Sequence, residues 1–109
     1  MMTSDQLNTA LRMELINYQA TDTLTDDLKR LFLELIIEVG KRKEYVNLTD
    51  NVRTYCEAKA YENCCRFAIH YNPDKSENAS AYIKTMIRHG YVETVRKHLP
   101  SSIVETLEF

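Results

Sequence analysis

The chain is poor in the residues that make tight turns. Its 109 residues include two glycines and two prolines. All-β folds spend both at their many turns, so a helical architecture is predicted instead. So few glycines also exclude the glycine-rich loops that cradle nucleotide phosphates. Three cysteines are present, an odd number, and Cys64 and Cys65 are adjacent. That is no disulfide framework, and it points to a reducing compartment. No charged-then-apolar leader opens the chain. The longest apolar stretch, LFLELIIEV, is interrupted by acids and is too short to span a bilayer. The expectation is a soluble, cytoplasmic protein without a membrane partner.

What is present suffices for one core. A chain of this length makes a single domain, and a hydrophobic share of 44% is ordinary for a globular protein. We read residues 1–100 as that domain and residues 101–109 as a short C-terminal tail. The net charge is −2, which does not mark a nucleic-acid binder at whole-chain level. Its distribution is uneven. Residues 79–98 carry Lys84, Arg88, Arg96 and Lys97 against Glu93 alone, a local +3 that leaves −5 for the remainder of the −2 total.

Four helices are predicted, packed as a compact all-α bundle. The first follows Ser4, a plausible N-cap residue, and carries Leu7, Leu11, Leu15 and Tyr18 at helical spacing. The second follows TDTLTDD, where Asp26 and Asp27 favour the positive end of the helix dipole. Its stripe is Leu28, Leu31, Phe32, Leu35, Ile36 and Val39, and Lys41, Arg42 and Lys43 close it. A third helix starts near Thr49 or Asp50, with Val52, Cys56, Ala60, Cys64, Phe67 and Tyr71 facing the core. Tyr55, Ala58, Lys59, Glu62 and Arg66 lie almost opposite. Pro73 drives Asn72 out of helical geometry and ends this run. Ser76 or Asn78 caps the fourth helix, whose inner face holds Ala79, Ile83, Met86, Ile87 and Gly90. Tyr82, Thr85, His89 and Arg96 fall on its other side.

Enzyme chemistry finds little support in these residues. Cys56, Cys64, Cys65, His70, His89 and His98 show no paired CxxC or HxxxH spacing, so no metal and no cofactor are expected. Cys56 and Cys64 read as small apolar fillers. Glu34, Glu38 and Glu44 read as a solvated helix face, not as a catalytic pair. The basic last helix has two readings. A solvated surface explains the cations on number alone. An aromatic-plus-cation face for unstacked bases explains why Tyr82 and His89 share a side with Arg96.

The segment HYNPDKSENASAYIKTMIRHGYVETVRKH joins a helix, Tyr71, a loop, Tyr82 and a helix ending in basic residues. It resembles region 2 of sigma-70-class transcription initiation factors, and is most similar to the small late-transcription sigma factors of T-even-type bacteriophages. The likeness covers roughly residues 28–98 and is strongest over 71–98. It implies a factor that binds bacterial core RNA polymerase and opens an A/T-rich promoter in the host cytoplasm. By matching position, Tyr55, Ala58, Lys59, Glu62, Cys65 and Arg66 would dock on the clamp helices of the large catalytic subunit. Tyr82, Thr85, Met86, Arg88, His89 and Tyr91 would read the −10 element and hold the non-template strand, with Arg96 and Lys97 on phosphates. Thr85 and Met86 stand where housekeeping sigma factors carry paired tryptophans, and this chain has no tryptophan. Capping of the duplex edge would then fall to Tyr82 and Tyr91. The chain stops short of the later sigma regions, so upstream recognition would come from another protein, a co-activator among the candidates. The tail IVETLEF is similar to the apolar and acidic motif by which such phage factors bind a sliding clamp, with Leu107 and Phe109 as anchors. The alternative is a sigma-like adaptor or decoy that occupies polymerase without opening promoters.

Overall fold

The computed structural model describes residues 3–75 and 78–98, and among them there is no strand. Four helices are present: α1 (Ser4–Thr21), α2 (Asp26–Gly40), α3 (Asp50–Phe67) and α4 (Ala79–His98), with a short 3-10 turn, Ala68–His70, after α3. The predicted all-α bundle is therefore what forms. None of these helices is long and apolar enough to cross a membrane.

Short side chains start each helix by accepting from its orphan amides. At α1 the cap is Thr3, one residue earlier than predicted. Its hydroxyl accepts from the Gln6 amide at 3.1 Å while Gln6 Oε1 accepts from the Thr3 amide at 2.9 Å. Only this register gives the reciprocal capping box, because Leu7 would fill the third position if Ser4 were the cap. Thr25 caps α2 by accepting from Leu28 N, and its hydroxyl donates to Glu14 Oε2 at 2.9 Å, tying α1 to α2. Thr49 caps α3 and Asn78 caps α4. The Asn8 side-chain oxygen of α1 accepts from Ser80 N, so a second amide at the start of α4 is satisfied from a distant element.

All six residues of the α2 stripe are buried. Cys56, Ala60, Cys64 and Tyr71 are buried as predicted, whereas Val52 and Phe67 are half-buried. α4 buries Ala79, Ile83, Ile87 and Gly90, and continues the stripe through Tyr91, Thr94 and Val95. Met86, placed inward by the helical wheel, is half-buried at the margin.

α3 and α4 form an antiparallel hairpin whose register can be followed pair by pair. Tyr55 stacks on His98, Lys59 faces Glu93, Asn63 Nδ2 donates to the Met86 carbonyl at 3.3 Å, and the Tyr82 hydroxyl donates to the Phe67 carbonyl at 2.7 Å. The two backbones approach closely where Gly90 meets Ala60. A Cβ on Gly90 would lie 2.8 Å from the Ala60 Cα and N, so the helices touch through backbone.

The Arg53 guanidinium fixes the connection between α2 and α3. It donates to the carbonyl of Gly40 at 3.2 Å, of Tyr45 at 2.6 Å and of Val46 at 3.1 Å. Three carbonyls satisfied by one planar fork suit arginine and not lysine. Arg53→Ala is expected to cost about 2–3 kcal/mol, and Arg53→Lys to recover less than half of that, in urea denaturation. Equal stability of both variants and the parent chain would show that the connection holds without the fork.

Candidate functional site

An open groove runs along α4. It has a volume of about 660 Å³ and is lined by Thr85, Arg88, His89, Val92, Glu93, Arg96 and Lys97. Residues at i, i+4 and i+8 share a helix face, so Arg88, Val92 and Arg96 form one row. His89, Glu93 and Lys97 form the next. Five predicted residues, Thr85, Arg88, His89, Arg96 and Lys97, thus come together. Val92 and Glu93 were not among them, although the same spacing places them there.

Three predicted residues do not join this face. Tyr91 is fully buried, with its ring 4.6 Å from that of Tyr45, and burial pushes its phenol up to about 12. It is a core residue here, not a cap for a duplex edge. The cause lies in the stripe itself, because Tyr91 is four residues from both Ile87 and Val95, which are buried too. Tyr82 is half-buried. Its ring lies 5.5 Å from that of Tyr71 and its hydroxyl is engaged by Phe67, so it fastens the start of α4 to the end of α3. Met86 lies at the seam beside Asn63. The exposed aromatic ring among the described residues is instead Tyr55, at 56% exposure on α3, lying parallel to the His98 imidazole at 4.9 Å.

Charge on α4 is partly spoken for. Lys84 Nζ lies 2.8 Å from Glu38 of α2, and Lys97 Nζ lies 3.7 Å from Glu93. Arg88 and Arg96 have no carboxylate partner among the described residues. Arg88 lies beside the buried Tyr45, whose phenol is raised by burial and partly lowered again by that guanidinium. Of the local +3 read from sequence, Glu38 offsets the charge of Lys84, which leaves +2 on the two arginines.

On α3 the predicted docking residues Tyr55, Ala58, Glu62 and Arg66 are exposed, and Lys59 and Cys65 are half-buried. Lys59 Nζ is shared, 3.7 Å from Glu62 and 3.7 Å from Glu93. The Arg66 guanidinium lies over the Phe67 ring at 5.9 Å. Burial raises the Cys65 thiol, and pushes Cys56 up to about 11 and Cys64 up to about 12. A thiol held protonated is a poor nucleophile and a poor metal ligand. No cluster of metal-ligating side chains occurs among the described residues. Leu107 and Phe109 lie outside the described residues.

The groove and the α3 face sit on adjoining sides of one hairpin. Chemically, the groove offers two guanidiniums, a hydroxyl, an imidazole and an apolar floor at Val92, a set that binds oxyanions and covers aliphatic or sugar surface. Comparison with known proteins adds no name to this arrangement: no family model, no curated protein and no solved structure matches the chain.

Proposed function

We propose that the chain is a sigma-like transcription initiation factor of the phage late-transcription type, which binds bacterial core RNA polymerase through α3 and holds one strand of an opened A/T-rich promoter along α4. The observation that carries this reading is the α4 groove, where Arg88 and Arg96 stand one above the other beside an exposed α3 strip of Tyr55, Ala58, Glu62 and Arg66. The resemblance over residues 71–98 gives that pairing its direction. Two guanidiniums hold a strand chiefly by its backbone, and phosphate contacts position without reading sequence. Few cations also mean weak binding to free DNA, with affinity falling as salt rises. Tight promoter binding then belongs to the complex with polymerase.

Run-off transcription with bacterial core polymerase, this chain and A/T-rich promoters, with and without a sliding clamp, tests the reading. Transcripts that depend on the chain are expected. Arg96→Ala is expected to lower their yield about fivefold or more while polymerase still co-purifies with the chain. No chain-dependent transcript under any of these conditions sinks the proposal.

One observation favours the second reading, an adaptor that occupies polymerase without opening promoters. The exposed face of α4 presents no exposed tyrosine or phenylalanine ring among the described residues, since Tyr91 is in the core and Tyr82 is tied down, which leaves the smaller imidazole of His89 in the groove. Bases extruded from a duplex need a stacking partner to offset their unstacking. Co-purification with polymerase, loss of host promoter activity and no run-off product together identify an adaptor.

A further inference from the structure

The anion-binding face of α4 already contains an anion. Glu93 lies in the groove at 47% exposure, and its Oε1 is 3.7 Å from Lys97 Nζ of α4 and 3.7 Å from Lys59 Nζ of α3. One carboxylate oxygen between two ammonium groups occupies the place that a phosphate oxygen would take. Both lysines come from different helices, and the register of the hairpin brings them to the same oxygen. Lys84, by contrast, is paired outside the groove with Glu38.

We propose that Glu93 is a built-in competitor for nucleic-acid phosphate, which keeps the free chain off non-specific DNA by occupying the two-lysine position. This rests on reading α4 as a nucleic-acid face. The carboxylate is a weak competitor. Exposed ion pairs at this separation contribute little, and side-chain rotation frees both lysines. A strand already placed by a bound polymerase supplies a phosphate at high effective concentration and displaces it. Random DNA relies on cation contacts alone, so a single resident carboxylate lowers its affinity more than it lowers that of a positioned strand. Glu93 therefore sets selectivity between loose and polymerase-delivered DNA, and does so without touching a base.

The test measures binding of a fluorescent single-stranded oligonucleotide to the chain by anisotropy across a salt series. Glu93→Gln keeps shape and removes the charge. It is expected to tighten binding about threefold to tenfold at low salt, and to steepen the dependence of affinity on salt by about 0.7 in the log–log slope, the increment for one added phosphate contact on a single strand. In a Lys97→Gln background the same change is expected to gain less than about twofold, because one of the two freed lysines is missing and the other, Lys59, keeps Glu62 as a partner. Glu34→Gln, which removes a charge from the groove between α1 and α2, is expected to change nothing. An equal gain from Glu34→Gln, or an undiminished gain without Lys97, would reduce the effect to net charge and overturn the proposal. So would a Glu93→Gln chain that binds no tighter than a parent chain whose binding is measurable. If no variant binds the oligonucleotide even at low salt, the reading of α4 falls together with the proposal. A Glu93 effect with no run-off transcription leaves this proposal standing and removes the polymerase assignment alone.

Discussion

Tyr91→Ala is expected to cost about 3–5 kcal/mol of folding free energy, while Tyr91→Phe leaves stability unchanged or raises it by about 1 kcal/mol. The ring is fully buried against Tyr45, and its removal opens a cavity between α2, α4 and the connection that follows α2. The hydroxyl has no hydrogen-bond partner among the described residues and lies where a side chain on Gly40 would be, 2.8 Å from its Cβ position. A buried hydroxyl without a partner carries a desolvation penalty, and phenylalanine is free of it. Chemical denaturation of the two variants checks both signs. The pair also separates two roles for this residue. If Tyr91 stacked on a promoter base, alanine would lose transcription at full stability. With the ring in the core, alanine loses stability first, and phenylalanine keeps whatever activity the parent has. An alanine variant as stable as the parent would show that the ring is not in the core in solution.

Substitution of Gly90 is expected to run against helix propensity. Glycine within a helix costs about 1 kcal/mol relative to alanine, so Gly90→Ala would stabilise an isolated α4 by that amount. In the folded chain the new methyl meets the Ala60 Cα and N at 2.8 Å and the Lys59 carbonyl carbon at 3.1 Å. Backbone cannot turn aside as a side chain does, so α3 and α4 must move apart. The net loss is expected to be about 1–3 kcal/mol for Gly90→Ala, and larger for Gly90→Val, in thermal or urea unfolding. Ala60→Gly should not rescue the variant, because the contact is with backbone and not with the Ala60 methyl. A rise in melting temperature for Gly90→Ala would mean that the helices are not in contact there. Separation of the hairpin would also pull Lys59 from Glu93, linking this packing contact to the charge pattern of the groove.

The legible parts of the molecule are those whose causes lie within a few residues. The α2 stripe is recovered completely because a 3.6-residue period acts within one helix and six large apolar residues mark it. The helix starts are nearly as clear, and the one shift, from Ser4 to Thr3, depends on the reciprocal bond with Gln6. In α4 the inward run from Ile87 to Val95 through Tyr91 carries the same period, so the burial of Tyr91 can be read from spacing. The resemblance, which carries a role for each position, assigns that ring outward. Spacing and packing prevail because a tyrosine flanked one turn away on each side by buried aliphatics has no route to the surface. Tyr45 had no such signal. It lies in a connection without periodicity, and it is buried because α4 supplies a ring and a guanidinium to cover it.

By itself, the sequence determined four helices, their starts to within a residue or two, the inward stripe of α2, most of the residues that α3 and α4 turn inward and a basic last helix. All of these follow from hydrogen bonds and periodicities that span about four residues. Only the tertiary structure decided which charges and rings remain available. Lys84 is neutralised from α2, Lys59 and Lys97 share Glu93 across the hairpin, Tyr91 is in the core, and Tyr55 is left exposed beside His98. Apart from the pairing of Lys97 with Glu93 one turn away in α4, those outcomes depend on residues that are 34 or more positions apart in the chain, such as Lys59 and Glu93. Their distances are fixed by how closely the helices pack, which at Gly90 comes down to the absence of one side chain.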